Sequence, residues 1–464
     1  MGQGLPLVFF LVAAGAPSVV CRAEEPVRLS DARLATKPVL VKLAVEARGE
    51  LQGDGDSASA VPMSVSGASV YHERYFPPKS TQPGSCSAIR AYERAHAKLS
   101  VGGESEEISL AASEATIAVF GTDRAPTFYA VSGRISRQEL DVLRIPCHSL
   151  VAYQLLATTP VRVGDSWVIA APEICAVLQL DEVTESDVRG KLVEVSAGLA
   201  KIQLHGDLIG RADGAITEIS LSGEMRYDLR AQGLRWLQVR IKEERGPGPT
   251  APPFKVVAET RMLIEPAADL PAVLQNCEAP NPRPSDLLLK FSSPRGGFHL
   301  LHPREWTIVS DHEKQTVLRL TKGRDVVAQC NLTRLPDSEK GKHLGLEAFQ
   351  EDIRKALKEQ FLEFEEARQE TRKDGLRVLR VVVQGTVKDG PVHWIYYHLE
   401  SPRGERASFV CTFAAESAKL QAFDRLAAAT LKFAPVKRPA KASVPLETAK
   451  RPVPPASPPP TATR

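Results

Sequence analysis

Phe298-His299-Leu300-Leu301-His302-Pro303-Arg304-Glu305-Trp306 decides the architecture of the C-terminal third of this 464-residue chain. A mainly apolar run meets a proline and then a tryptophan, so the stretch reads as one strand, a tight corner and the start of a second strand. Outward from it, Phe298 to His302, Trp306 to Ser310, Thr316 to Thr321 and Val326 to Leu335 read as strands. Leu346, Phe349, Ile353, Leu357, Phe361 and Phe364 then recur at three- and four-residue steps with charged residues between them, which predicts one long amphipathic helix lying on a sheet. Arg377 to Val387, His393 to Glu400 and Ala407 to Ala414 resume the strands, and Leu420, Phe423, Leu426, Ala427 and Leu431 give a closing helix its apolar stripe. An α-β-α sandwich around an antiparallel sheet is the expectation for residues 287–434.

Earlier in the chain, Val188 to Glu265 reads as an antiparallel meander of long strands. Ile219, Leu221, Met225, Tyr227 and Leu229 fall on one face, while Ser220, Ser222, Glu224, Arg226 and Asp228 fall on the other. A sheet with one apolar face must be covered. A second layer built from the strands before Val131, using Leu43, Val45, Val119 and Val131, is the favoured cover, and a ligand-filled gap is the other solution. Val39 to Leu51, Met63 to Phe76 and Ile117 to Val131 read as extended, and Ala88 to Ser100 as a short helix leading into a strand. Ser136-Arg137-Gln138-Glu139 is a capping box flanked by Ile135 and Leu140, and Pro172 to Leu180 fits a second short helix. Residues 24–265 are therefore expected to form an antiparallel β-rich domain (a meander, sandwich or half-barrel with short helices), and the fold class is α+β.

Composition and punctuation set the remaining limits. The chain exceeds what one core usually organises, so two domains are the prior. Pro266, Pro271, Pro280, Pro282 and Pro284 mark 266–286 as a proline-rich linker. Residues 435–464 alternate Lys/Arg with Pro and read as a disordered tail, either a solvated spacer or a weak contact for an anionic surface. Leu5 to Cys21 is apolar but short and broken by Pro6, Gly15 and Pro17, so 1–23 reads as a signal peptide ending at Cys21-Arg22-Ala23, although Met1 to Gly4 lacks Lys and Arg. Val20 before Cys21 argues against a lipoprotein signal. Export to a secreted or periplasmic site follows, with no stable membrane span after cleavage. A formal net charge of +3 on so long a chain, with no basic stripe, argues against nucleic acid as a partner.

Phe298 with Pro303 and Trp306, the helix containing Phe349 and Ile353, the aromatic strand Trp394-Ile395-Tyr396-Tyr397 and the closing Leu431-Lys432-Phe433 together resemble the PsbP and DcrB-like fold family. The resemblance implies an antiparallel sheet between helices, usually without catalysis and often acting in assembly on the outer side of a membrane. It carries no functional residue across. The N-terminal half resembles secreted β-rich proteins of uncharacterised function that share a Val-Gly-Asp-Ser-Trp turn, here Val163 to Trp167. A half-barrel like the LolA-type lipoprotein carriers is a further architectural analogy.

No constellation of residues demands a particular chemistry. His299 and His302, like His393 and His398, are an odd number of residues apart on one predicted strand and so face opposite sides. Cys147 and His148 likewise diverge if extended, which argues against a thiolate-imidazole pair. Asp165 and Trp167 read as a turn with an anchoring aromatic rather than a binding site. The Asn331-Leu332-Thr333 sequon falls within a predicted strand. There is no CxxC for structural zinc, and Cys86, Cys147, Cys175, Cys277, Cys330 and Cys411 are read as buried thiols, with Cys330 and Cys411 the best-placed pair if any disulfide forms. No catalytic, cofactor or metal residue is assigned. The leading expectation is a non-catalytic exported protein that binds an envelope protein partner; the second is a carrier of an apolar ligand in the N-terminal domain, and the third an enzyme with a dispersed site.

Overall fold

Alternation of apolar and polar residues builds one sheet from the whole N-terminal half. The computed structural model describes residues 25–29, 38–52, 60–76, 86–121, 126–339, 341–387, 390–414 and 421–435. The stretch read as a signal peptide, and the tail from residue 436 on, lie outside the described residues.

The first elements are β1 (Val39–Leu51), β2 (Val61–Tyr75), β3 (Cys86–Val101), β4 (Glu104–Ser109), β5 (Thr116–Phe120), β6 (Thr127–Ala130) and α1 (Arg137–Leu143). Next come β7 (Ser166–Val168), α2 (Ala171–Leu178), β8 (Glu182–Ser186), β9 (Arg189–Ser196), β10 (Leu199–Ala212), β11 (Ala215–Asp228), β12 (Gly233–Arg245) and β13 (Phe254–Pro266). All thirteen strands join one antiparallel sheet, ordered β6-β5-β3-β2-β1-β13-β12-β11-β10-β9-β7, with β4 on β3 and β8 on β10. In β11, Ala215, Thr217, Ile219, Leu221, Met225 and Tyr227 are buried, and their neighbours are exposed or half-buried. The strands before Val131 are thus not a second layer: β1 pairs along its full length with β13, in register from Val39↔Pro266 to Leu51↔Phe254.

The chain covers the apolar face with its own segment, residues 132–181. Leu140, Leu143, Leu150, Leu155, Ile174 and Val177 of this segment share one core with Tyr71 and Tyr92 of one wing and with Ile202, Tyr227 and Leu237 of the other. Polar contacts tie it to both wings: Ser149 Oγ lies 2.9 Å from the Tyr71 hydroxyl, and the Tyr153 hydroxyl accepts from Leu234 N–H at 3.0 Å. Two short helices alone would shield little of such a sheet; the irregular backbone between them, including a 3-10 turn at Ala152–Leu155, does much of the covering.

Ala88 to Ser100 is strand, not helix. A bulge between Val70 and Tyr71 sets Tyr71 opposite Tyr92 and Val70 opposite Arg94, leaving Glu93 extra. The inward residues Ala88, Tyr92 and Ala95 consequently fall at helix-like spacing along an extended chain.

Beyond Pro266, where β13 ends, the proline-rich stretch has no strand, as its prolines require, but it is held in place. Within it, α3 (Ala272–Gln275) buries Leu274 completely on the outer face of β3, β5 and β6 beside Ile89, Ala118, Phe120 and Tyr129. Arg74 donates to the carbonyls of Leu274 and Gln275, both at 2.7 Å.

The C-terminal elements are β14 (Leu289–Ser293), β15 (Phe298–His302), β16 (Trp306–Asp311), β17 (Thr316–Lys322), β18 (Asp325–Leu335) and α4 (Leu346–Leu357). They continue as β19 (Phe361–Thr371), β20 (Arg377–Val387), β21 (Gly390–Glu400), β22 (Arg406–Ala414), α5 (Gln421–Thr430) and β23 (Lys432–Phe433). The Pro303 corner sends the chain from a three-stranded sheet, β14-β15-β23, into a seven-stranded one, β16-β17-β18-β22-β21-β20-β19. Val378, Val382, Ile395 and Tyr397 face α5, whereas Leu379, Val381, Val383 and Trp394 face α4. The long helix is shorter than its apolar spacing suggests. It ends at Leu357, where Lys358 takes φ +50°, and Phe361 and Phe364 lie on β19. A bulge between Phe361 and Glu363 turns Leu362 out to solvent and keeps both phenylalanines beside α4, with Arg354 over their rings. Trp306 stacks at 4.0 Å on Phe423, so it fills the core beneath α5 rather than beneath α4.

Candidate functional site

Among the described residues, polar chemistry gathers in a sealed cluster inside the N-terminal sheet and in two open grooves on the surface.

The sealed cluster is built on facing positions of β2 and β3. Glu73 stands opposite Arg90, and Tyr71 opposite Tyr92. Arg90 Nε donates to Glu73 Oε1 at 2.6 Å, and its terminal nitrogens reach the Tyr92 hydroxyl, His148 Nδ1 and Ser149 Oγ at 3.3, 3.1 and 3.1 Å. Ser149 Oγ in turn donates to Glu73 Oε2 at 2.7 Å. The guanidinium also lies over the Tyr71 ring at 4.5 Å. Burial opposes the charge on Arg90, but Tyr71, Glu73 and Tyr92 around it prevail and hold its pKa above the ordinary value. Burial raises the Tyr71 hydroxyl far out of the working range. A paired ion with every neighbour engaged, at 0 to 1% exposure for both partners, is suited to fixing the 132–181 segment against the sheet rather than to meeting a substrate.

The first groove, a cavity of about 1040 Å³, crosses six strands. Its axis is the register row Gly49-Val256-Glu243-Ile219-Leu208-Ser186, running over β1, β13, β12, β11, β10 and β8. On either side stand the solvent-facing rows, one with Glu50, Lys255, Glu244, Glu218, Ile209 and Glu185, the other with Arg48, Val257, Lys242, Ser220 and Asp207. At the strand spacing of about 4.8 Å the groove is roughly 25 Å long. Seven carboxylates and three cations line it, so it is acidic. Glu243 points inward and is engaged by Thr217 and Arg245 at 2.8 and 2.7 Å, and Lys255 pairs with Glu244 at 2.8 Å.

The second groove, about 780 Å³, lies between β19 and α5. Its floor is polar and buried: Arg380 Nε reaches the Tyr397 hydroxyl and Asp424 Oδ2 at 2.9 and 3.1 Å, and that hydroxyl donates to Asp424 Oδ2 at 2.7 Å. Arg368, Arg372, Lys373, Arg380 and Arg425 outnumber Glu366, Glu370 and Asp374 around it. Much of this charge is internally used, since Arg372 caps α5 through the Ala428 and Leu431 carbonyls at 2.7 and 2.9 Å.

Solved structures offer likeness of fold pattern. The solution structure of the cyanobacterial PsbP protein from Synechocystis is 17% identical, with 34% of this chain matched to 98% of that one at a TM-score of 0.25. Lipovitellin is 10% identical, and 52% of this chain matches only about a quarter of it, 27%, at a TM-score of 0.28. The translocator domain of the autotransporter NalP from Neisseria meningitidis is 9% identical over 82% of this chain and 88% of its own, at 0.12. At such scores these likenesses say nothing of ligand or activity. No protein-family model and no curated protein matches the chain.

The residues weighed from sequence are scattered across the fold. His302 is fully buried with Nδ1 2.9 Å from the Pro303 carbonyl, while His299 is exposed on the other side of β15. His393 stacks on Phe413 and His398 lies against Phe349, on opposite faces of β21. Burial pushes the Cys147 thiol up to about 12, which keeps it protonated beside His148. Asp165 accepts from Arg162 N–H at 2.8 Å, and the Trp167 indole donates to the Leu155 carbonyl at 3.0 Å, so both anchor a turn. Ser136 and Glu139 form the expected capping box, and Lys290 adds an ion pair to Glu139 at 3.2 Å. The Glu73–Arg90 pair escaped sequence reading. Its signal was a lone arginine within Ala88-Ile89-Arg90-Ala91-Tyr92, hidden because that stretch read as helix. The grooves could not be read at all, since each collects residues from distant strands.

Proposed function

We propose that this protein is a non-catalytic binding or assembly module of the cell envelope, exported by its N-terminal segment, and that its partner is a protein with a basic face that seats in the acidic groove. One observation carries the reading. The apolar face of the large sheet is covered by residues 132–181 of the same chain, while the groove on its solvent face is open, crosses six strands and is lined by seven carboxylates. An extended, mainly acidic surface suits a polypeptide with a basic face better than a small apolar molecule, because each charged rim group can pair without being fully desolvated. A PsbP-like assembly role for residues 287–434 fits the same picture.

A photo-crosslinking residue at Ser220, in the groove, tests this in the cells that make the protein. The expected result is one recurring protein adduct that Glu218→Lys with Asp207→Lys abolishes while thermal unfolding is unchanged. Stoichiometric lipid in an organic extract of the native protein, with no such adduct, would replace this reading with that of an apolar carrier.

A further inference from the structure

The seven-stranded sheet is two locally connected halves joined at one seam. β16, β17 and β18 follow one another in sequence, as do β19 to β22, and only the β18–β22 pairing joins the two sets. At that seam Cys330 stands directly opposite Cys411, 81 positions further along the chain. Both are buried free thiols, at 0% and 4% exposure, and both belong to the core that α5 closes with Phe423, Ala427 and Ala428. Directly opposed residues of an antiparallel pair have Cα atoms about 4.5 to 5.5 Å apart, inside the roughly 4.4 to 6.8 Å that a disulfide spans.

We infer that Cys330 and Cys411, placed face to face at the sheet's single long-range seam, form a cross-strand disulfide as the domain folds. The oxidant is a small disulfide such as oxidised glutathione. One cysteine, as thiolate, attacks a sulfur of the oxidant and releases one thiol; the other cysteine then displaces the second. Two S–H bonds are lost, one S–S bond is made, and two electrons and two protons leave on the two released thiols. Timing follows from the site. In the folded chain, contact with Cys330 and then burial push the Cys411 thiol far up, so thiolate is scarce and α5 covers it. The reaction therefore belongs to the stage before α5 docks. The bond closes a long loop, where a covalent tie restricts the unfolded chain most.

The test needs no partner. The full chain is reduced and unfolded, then refolded in a buffer of oxidised and reduced glutathione. Free thiols are alkylated in denaturant, and the unreduced digest is weighed by mass spectrometry. The expected product joins the Cys330 and Cys411 peptides, and the oxidised protein unfolds at higher urea than the same protein reduced. Folded reduced protein placed in the same buffer should oxidise at least tenfold more slowly. Recovery of both cysteines alkylated in the refolded fraction, or joined only to glutathione or to other cysteines, would overturn the inference. Equal rates from folded and unfolded starting material would overturn the timing. Because both readouts use the unmutated chain, they do not depend on whether C330A/C411A folds.

Discussion

Arg90 and Glu73 are paired at 2.6 Å across β2 and β3 with 1% and 0% of their side chains exposed. The pair is the polar centre of an otherwise apolar core, and it couples the sheet to the 132–181 segment through Ser149 and His148. Breaking one half of such a pair strands the other charge. Arg90→Met should cost about 3 to 5 kcal/mol in urea unfolding, and adding Glu73→Gln should restore part of that loss. A double variant as unstable as the sum of both singles would show that the two side chains act independently.

His302 makes stability depend on pH. Burial first, and then the neighbouring Arg137 and Arg304 charges, hold its pKa down to about 4, offset in part by the Pro303 carbonyl. The unfolded chain, with an ordinary value near 6.5, binds the proton first. Stability should be complete above about pH 6.5 and fall as pH drops through the window to about 4, by up to about 3 kcal/mol from this group. His302→Gln should flatten that part of a stability-versus-pH curve, and an unchanged slope would rule this group out as its source.

Gly190 has no room for a side chain. A Cβ there would clash with the Trp167 ring, which lies against the β9 backbone. Gly190→Ala should displace the indole, cost about 1 to 3 kcal/mol, and shift tryptophan emission to the red.

Trp306 sits 4.0 Å from Phe423 with 3% exposure. Trp306→Ala should cost about 3 to 5 kcal/mol, whereas Trp306→Phe, which keeps an aromatic contact, should cost clearly less. Loss of partner binding in Trp306→Ala with unchanged melting would instead make this corner a recognition site.

Leu274 fixes the proline-rich stretch to the sheet, and Arg74 binds the Leu274 and Gln275 carbonyls. Leu274→Asp should release the stretch, so that limited proteolysis cuts within 266–286 much faster than in the parent chain while the cores on either side survive. Equal cutting rates would mean that Leu274 does not hold it.

Period-two alternation by itself determined most strands, because each residue there answers only to which face it points to: β11, β12, β18 and β22 are legible from neighbouring residues alone. The Ser136 capping box and the Trp167 turn are equally local, each closed within a few residues or packed by the nearby chain. Both helix readings that failed share one cause. A bulge near Glu93 and another at Leu362 add a residue to a strand, and the inward side chains then recur at three- and four-residue steps as on a helix. Only tertiary structure decides whether such spacing is helix or bulged strand, because the partner strand supplies the hydrogen bonds that choose. The same holds for the cover of the large sheet. Residues 132–181 look like two short helices and loops in sequence, and they become a core only where β2, β3 and β12 bring Glu73, Arg90 and Leu234 to meet Ser149, His148 and Tyr153. Glu73 and Arg90 are one ordinary acid and one ordinary base until the β2–β3 register puts them face to face and burial removes water from both.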